Sequence, residues 1–229
     1  MEIQPIAIAQ NGFTDKFGIP RQSRETSQIE TRIVFLPPYR SEDAIRGIQD
    51  FSHLWLIWEF SQVAGDRVQV ADSKLTVRPP RLGGNVRMGV FATRSPYRPN
   101  NLGLTSVELL RVERTEKEGC VLVVRGADLL HGTPIYDIKP YLSFSDSHPD
   151  ARNGFAEETK DYSLPIQWDT PMPEMDASMR AQIEEILSQD PRPAYQSDPT
   201  RVYKMEYAGW HVEFRVENDT VVIKKCIFV

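Results

Sequence analysis

Residues 137 to 141 read Asp137-Ile138-Lys139-Pro140-Tyr141. Alternate residues of an extended strand share a face, so a carboxylate, an ammonium and a phenol would stand side by side. Such a trio can move a proton or orient a polar substrate, particularly where burial shifts its titration. The same spacing also describes an exposed Asp-Lys pair that contributes little. A second stretch, Ser73 to Val107, has no Asp, Glu or His, yet carries Lys74, Arg78, Arg81, Arg87, Arg94 and Arg98 among Gly, Pro and Asn. Arginine is permanently charged and presents a planar fork of donors, which suits phosphates, carboxylates or aromatic rings of a ligand. The bland alternative is a solvated basic loop paired with acids elsewhere, although such a loop does not need so many Pro and Gly residues. A third stretch, Phe17-Gly-Ile-Pro-Arg-Gln22, is a turn of fixed φ that presents Arg21 and Gln22.

Other reactive side chains fit ordinary structural roles. His53 opens an apolar run and fits a hydrogen-bonded core position better than a catalytic base. His131, His148 and His211 lack partners at metal-ligand spacing, and Cys120 and Cys226 are too far apart to suggest a zinc site or a disulfide framework, so no metal is expected. No Gly-x-Ser-x-Gly elbow occurs, which disfavours a hydrolase. The 229 residues carry a net charge of -5, with 40% hydrophobic and 26% charged residues, as in an ordinary globular protein. The acidic balance argues against indiscriminate nucleic-acid binding but leaves room for a focused basic patch. The run Leu54 to Trp58 is far too short to span a bilayer, and the first residues lack the pattern of a secretory signal, so a cytoplasmic protein without a membrane partner is expected.

The elements that must position these residues read as strands. Ile3 to Ile8, Ile33 to Leu36, His53 to Phe60, Val86 to Thr93, Leu104 to Val112, Val121 to Arg125 and Pro134 to Ile138 are short apolar or alternating stretches separated by turn residues. A short helix is expected at Ser41 to Gln49, where Ser41 can cap and Ala44, Ile45 and Ile48 share a face. After Ser143 the chain turns polar. Met175, Met179, Ile183, Ile186 and Leu187 then recur at helical spacing, as a packed core stripe rather than a cofactor box, until Asp190-Pro191 stops the helix. Arg201 to Tyr207, Trp210 to Val216 and Thr220 to Ile227 read as an antiparallel meander. The expected fold is mainly β: one unit over residues 1–150 and a small α+β unit over residues 165–229. With no Gly-x-Gly-x-x-Gly after a strand, a doubly wound nucleotide-binding fold is disfavoured.

Phe17-Gly-Ile-Pro-Arg-Gln22, Ala44-Ile-Arg-Gly-Ile48, Asp50-Phe-Ser-His-Leu-Trp55, Arg78-Pro-Pro-Arg-Leu-Gly-Gly-Asn85, Gly89-Val-Phe-Ala-Thr-Arg94, Arg98-Pro-Asn100 and Gly132-Thr-Pro-Ile-Tyr-Asp-Ile-Lys-Pro-Tyr141 together resemble the TsaA-like, or TrmO, family. The resemblance runs over most of residues 3–150, and Gln189 to Tyr195 resembles the start of the bacterial family's C-terminal domain. It implies a non-Rossmann antiparallel β-barrel methyltransferase, usually a homodimer, that uses S-adenosylmethionine. The implied substrate is N6-threonylcarbamoyladenosine at tRNA position 37, beside the anticodon of threonine tRNA, and the product is the N6-methylated nucleoside. By the matching motifs, Pro20, Arg21, Gln22, Gln62, Arg94, Leu104, Asp128 and Leu129 surround the cofactor. Arg21 or Arg94 would hold its methionine carboxylate, and Leu104 and Leu129 would flank adenine. Asp137 or Tyr141 would handle the proton, with Lys139 orienting or stabilising charge. Arg98 or Arg78 would meet the threonyl carboxylate; Tyr97 and Asn100 beside them, with Arg192 and Tyr195 later, suit RNA. Asn101 stands where the family commonly has proline, an exchange expected to change only loop rigidity. His131 stands where aspartate is common, so no catalytic role is carried to it. Two other readings use the same residues: a barrel methyltransferase acting on a small metabolite, and a noncatalytic tRNA- or cofactor-binding module.

Overall fold

Strict alternation builds the first sheet. In β3 (His53–Glu59) Leu54, Leu56 and Trp58 are buried while His53, Trp55, Ile57 and Glu59 face outward. The computed structural model describes residues 2–19, 27–61, 75–79, 82, 85–192, 196 and 198–229. Within these, β1 (Ala7–Gln10), β2 (Glu30–Phe35), β3, β6 (Leu102–Thr115), β7 (Gly119–Arg125) and β8 (Pro134–Pro140) close into a barrel in the order β1-β2-β7-β6-β3-β8. Every pairing is antiparallel, and the β1 to β8 pairing, with Ala7 opposite Ile135, closes the ring. Ile33, Leu54, Leu56, Leu122, Val124, Leu129 and Ile135 fill the interior. A short hairpin of β4 (Thr76–Val77) and β5 (Met88–Gly89) stands in the basic segment.

Past β8, a four-residue helix α1 (Ser143–Asp146) precedes a second sheet, ordered β10-β11-β12-β9. Its strands are β9 (Ile166–Trp168), β10 (Tyr203–Tyr207), β11 (Trp210–Glu217) and β12 (Thr220–Phe228). Helix α2 (Ala177–Ser188) is capped by Asp176, whose carboxylate accepts from Met179 N at 2.7 Å, and it buries Ile183, Ile186 and Leu187 against the sheet. Phe13 and Ile29, far upstream, complete this second core, and Ala208 N donates to Gly12 O at 2.9 Å.

Several expectations shift. Val86 to Thr93 forms a two-residue strand and then a 3-10 turn over Val90–Ala92, with Val90 alone buried, so the apolar run is loop rather than sheet. Residues 41 to 49 form two 3-10 turns, Glu42–Ile45 and Ile48–Asp50, separated by Gly47 at φ 83°, which breaks helical continuity. The first strand begins at Ala7 because Ile3 is exposed. The late meander gains β9 as a parallel fourth strand, paired with β12 through Val221 opposite Ile166. Asn101 does more than change rigidity: its φ of 41° is closed to proline, and its buried amide, oriented with Nδ2 toward the loop, donates to Pro96 O and Arg98 O at 3.2 and 2.6 Å.

Candidate functional site

Asp137, Lys139 and Tyr141 share the outer face of the barrel, as the alternation of β8 requires. Lys139 Nζ lies 3.1 Å from Asp137 Oδ2, and both side chains are open to solvent. The carboxylate's other oxygen accepts from Ile138 N at 2.9 Å. The Tyr141 ring packs 5.5 Å from Trp55 and 6.1 Å from His53. Trp55 in turn donates its indole N–H to Asp146 Oδ2 at 2.9 Å, and Leu142 N donates to the same oxygen at 2.9 Å. These two donors hold the Asp146 carboxyl below its ordinary range and fasten α1 beside the face.

Strand register joins this face to the next strands. Ile57 sits opposite Asp137 on one side and Leu104 on the other, while Trp55 sits opposite Lys139 and Ser106. Leu104, at 57% exposure, is therefore one strand removed from Asp137 on the same wall. A bulge between Ile57 and Trp58 in the β3 to β8 ladder also brings Tyr136 to this side, where its hydroxyl donates to Glu59 Oε2 at 2.5 Å. Glu59 and Tyr136 were not singled out from sequence, because a bulge changes which residues face outward and leaves no period-two signal.

On the same strands, the buried Trp58 and Thr105 and the half-buried Asp128 form a hydrogen-bonded chain. The Trp58 indole donates to Thr105 Oγ1 at 3.0 Å, and Thr105 donates to Asp128 Oδ1 at 2.8 Å. Burial pushes the Asp128 carboxyl up from its ordinary range; the Thr105 hydrogen bond and the positive charge of Arg94 nearby oppose that shift. Gly103 is required beside this chain, since a β-carbon there would lie 2.3 Å from the Trp58 ring. Thr105 was missed from sequence, although the alternation of β6 turns it inward.

The arginine-rich loop is braced by its own backbone. Arg98 Nη1 donates to Thr93 O at 3.0 Å and Ser95 O at 3.4 Å; Thr93 Oγ1 donates to Val90 O at 2.9 Å; Tyr97 N donates to Ser95 Oγ at 3.2 Å. Arg98 thus shapes the loop, whereas Arg78, Arg94, Tyr97 and Asn100 are exposed on it. Three other positions differ from their expected surroundings. Leu129 is fully buried in the barrel core, and its carbonyl accepts from Asn11 Nδ2 at 2.8 Å, so its side chain offers no surface to adenine. Arg192 is taken up by a two-pronged pair with Asp190, at 2.7 and 2.8 Å, with both side chains only 13% exposed. His131 ties a loop through Nδ1, 3.0 Å from Asn11 O. Pro20, Arg21, Gln22, Gln62 and Tyr195 lie outside the described residues.

The comparisons with known proteins decide the lineage. The family model for the tRNA-methyltransferase O N-terminal domain matches residues 8–147, and that for the TrmO C-terminal domain matches residues 166–227. The chain belongs to the tRNA-methyltransferase O family. It is similar to a tRNA (adenine(37)-N6)-methyltransferase of Eikenella corrodens, 49% identical over 78% of this chain and 98% of that protein. It is also similar to the protein of that description in Escherichia coli, 36% identical over 94% of this chain and 91% of the relative. A crystal structure of TrmO from Pseudomonas aeruginosa superposes with a TM-score of 0.76 at 29% identity, covering 99% and 98% of the two chains. Residue 147 falls just past α1, so the first matched region contains the barrel, the basic loop and the whole Asp137 to Tyr141 face.

Proposed function

We propose that this chain transfers a methyl group from S-adenosylmethionine to N6 of N6-threonylcarbamoyladenosine at position 37 of threonine tRNA, acting as a cytoplasmic homodimer. The observation that carries the reading is the outer wall of β8, β3 and β6, where a paired carboxylate and ammonium share a face with the exposed Leu104 and the basic loop runs directly into β6. The bound cofactor supplies an electrophilic methyl on a sulfonium.

The residues present fit such a cofactor. It carries a cation, a carboxylate and an adenine ring, and the barrel offers the Asp128 carboxylate, the Arg94 guanidinium and the exposed Leu104 ledge. Arg94 would hold the methionine carboxylate, Leu104 would lie against adenine, and Asp128 would face donors or positive charge. Pro20, Arg21, Gln22 and Gln62 are assigned to the cofactor by family motif, and Leu129, buried behind Asp128, supports the barrel beneath the site.

The acceptor nitrogen belongs to a urea, so its lone pair is delocalised and it attacks poorly until its proton is removed. A base at the attacking atom, with in-line placement, is what the chain must provide. Asp137 is the acceptor we assign to that proton. Lys139, 3.1 Å away, holds the carboxylate in place and offsets negative charge as it develops. Tyr141, packed on Trp55, is assigned to shaping the wall beside the base rather than to the proton. The threonyl carboxylate of the substrate pairs with Arg78, on a loop shaped by Arg98, and Tyr97 and Asn100 contact splayed bases of the anticodon loop.

The homodimer is supported by what the wall leaves uncovered. Leu104 is 57% exposed, and Phe144 of α1, next to Trp55, is 87% exposed. Methyl transfer needs water excluded, and a convex barrel wall cannot do that alone. A division into a barrel domain over residues 1–150 and a C-terminal domain over 165–229 is supported by the two separate sheets, although Phe13 and Ile29 lend side chains to the second core. The assay that tests the reading follows labelled methyl transfer from S-adenosylmethionine to threonine tRNA with and without the threonylcarbamoyl group. Label is expected only on the modified tRNA, and equal label on both would refute the substrate assignment.

A further inference from the structure

Among the described residues, the second sheet holds an arginine whose Nε has no acceptor. Arg215 points outward from β11, its Nε is buried with no hydrogen-bond partner, and its guanidinium joins none of the ion pairs among the described residues. Its neighbours on the same face of the strand differ. Glu213 lies 3.3 Å from His211 and 3.6 Å from Lys204, and Glu217 lies 3.7 Å from Lys224. Across the ladder Arg215 faces Val222, which supplies no carboxylate. A buried N–H aimed at no acceptor is costly unless a ligand satisfies it.

The space in front of Arg215 has the chemistry of an anion site. Pro199, Thr200, Arg215, Glu217 and Asn218 line an open cavity of about 350 Å³. Two acids of this region have partners of their own. Asp198 accepts from Thr200 N at 2.8 Å and Thr200 Oγ1 at 2.7 Å, and Glu217 faces the Lys224 ammonium, which also holds Asp169 at 2.7 Å. Among the described residues the Arg215 guanidinium joins no carboxylate, and its planar fork matches phosphate oxygens. Asn218, exposed in the β11 to β12 turn at φ 48°, adds an amide at the cavity edge.

We propose that this cavity binds a backbone phosphate of the tRNA, with Arg215 as the contacting cation and Asn218 beside it. The inference rests on the function proposed above. It extends the RNA footprint from the barrel wall to a second sheet, and it gives Arg215 the part that sequence suggested for Arg192.

The test measures threonine tRNA binding across a salt series for the wild-type chain, Arg215→Gln and Asn218→Asp. One phosphate contact contributes roughly 0.7 to 0.9 to the slope of log affinity against log salt, so Arg215→Gln is expected to flatten the slope by about that amount. Asn218→Asp places a carboxylate at the cavity edge on a turn whose backbone aspartate accepts, so it reports even if Arg215→Gln fails to fold. It is expected to weaken binding at low salt about fivefold to tenfold, within the range of one lost phosphate contact. S-adenosylmethionine affinity should stay at the wild-type value in both variants. Unchanged slope and affinity in variants of a wild-type chain that methylates tRNA would overturn the inference and leave the function standing. Failure of the wild-type chain itself to methylate tRNA would remove the reading on which the inference rests, and that result is visible before any variant is made.

Discussion

Two outer walls of one barrel differ in how they treat charge. Over β2, β7 and the far half of β6, arginines and glutamates interlock: Arg32 with Glu113 and Glu118, Arg111 with Glu30 and Glu113, Arg125 with Glu108. This lattice covers Val121 and Val123, which point outward yet are fully buried. Over β8, β3 and the near half of β6, the same alternation instead presents Asp137, Lys139, Tyr141, Trp55, Ile57 and Leu104. A wall finished with ion pairs needs no partner. A wall that leaves leucine and phenylalanine uncovered beside a carboxylate-ammonium pair is built to receive one.

Asp137→Asn should break this contrast most severely. If the carboxylate takes the proton, kcat should fall by about 10² to 10⁴-fold in a single-turnover methylation assay, while thermal unfolding stays nearly unchanged because the group is exposed. Gly103→Ala should act in the opposite sense, through stability. Its β-carbon would meet the Trp58 ring, and overpacking of this kind costs about 1–3 kcal/mol or more, read as a lowered urea midpoint. Thr105→Val should follow, at about 1–3 kcal/mol, because both the Trp58 indole and the Asp128 carboxyl lose their bridging hydroxyl.

Asp128 sharpens the comparison through pH. Its folded-state pKa is raised, so the folded protein holds that proton more tightly than the unfolded chain. The resulting stabilisation is complete below the ordinary carboxylate value and is lost as pH rises through the raised folded value. Melting curves of the wild type and Asp128→Asn should therefore diverge with rising pH across that window, the variant gaining relative to the wild type. The smallest effect belongs to the ion-paired wall: Arg111→Ala should cost about 0.2–1 kcal/mol and leave methylation intact, checked by denaturant titration and the same transfer assay.

Legibility followed the range of the interactions involved. Strands β3 and β11 are readable because alternation is a local signal, β7 because an unbroken apolar run is one, and α2 because its Ile183, Ile186 and Leu187 stripe lies within its own turns. Barrel closure, the parallel pairing of three-residue β9 and the upstream Phe13 and Ile29 in the second core depend on residues far apart in sequence. The site shows the same divide. Asp137, Lys139 and Tyr141 fell on one face as period two requires. Leu129, assigned to the cofactor by the family resemblance, and Arg192, assigned to RNA by type, both lie in irregular segments where nothing local reports burial; one is core and the other part of a shielded ion pair. Arg94, Arg98 and Asn100 were found by composition, yet only three-dimensional contacts separate Arg98, which braces the loop, from the exposed Arg94.

The most direct test of the central claim incubates the purified chain with S-adenosylmethionine and threonylcarbamoylated threonine tRNA, digests the RNA and weighs the nucleosides. A gain of one methyl on N6-threonylcarbamoyladenosine alone, lost in Asp137→Asn but kept in Arg111→Ala, is the predicted result. No methyl gain, or equal loss in both variants, would contradict the assignment of methyl transfer to the β8, β3 and β6 wall.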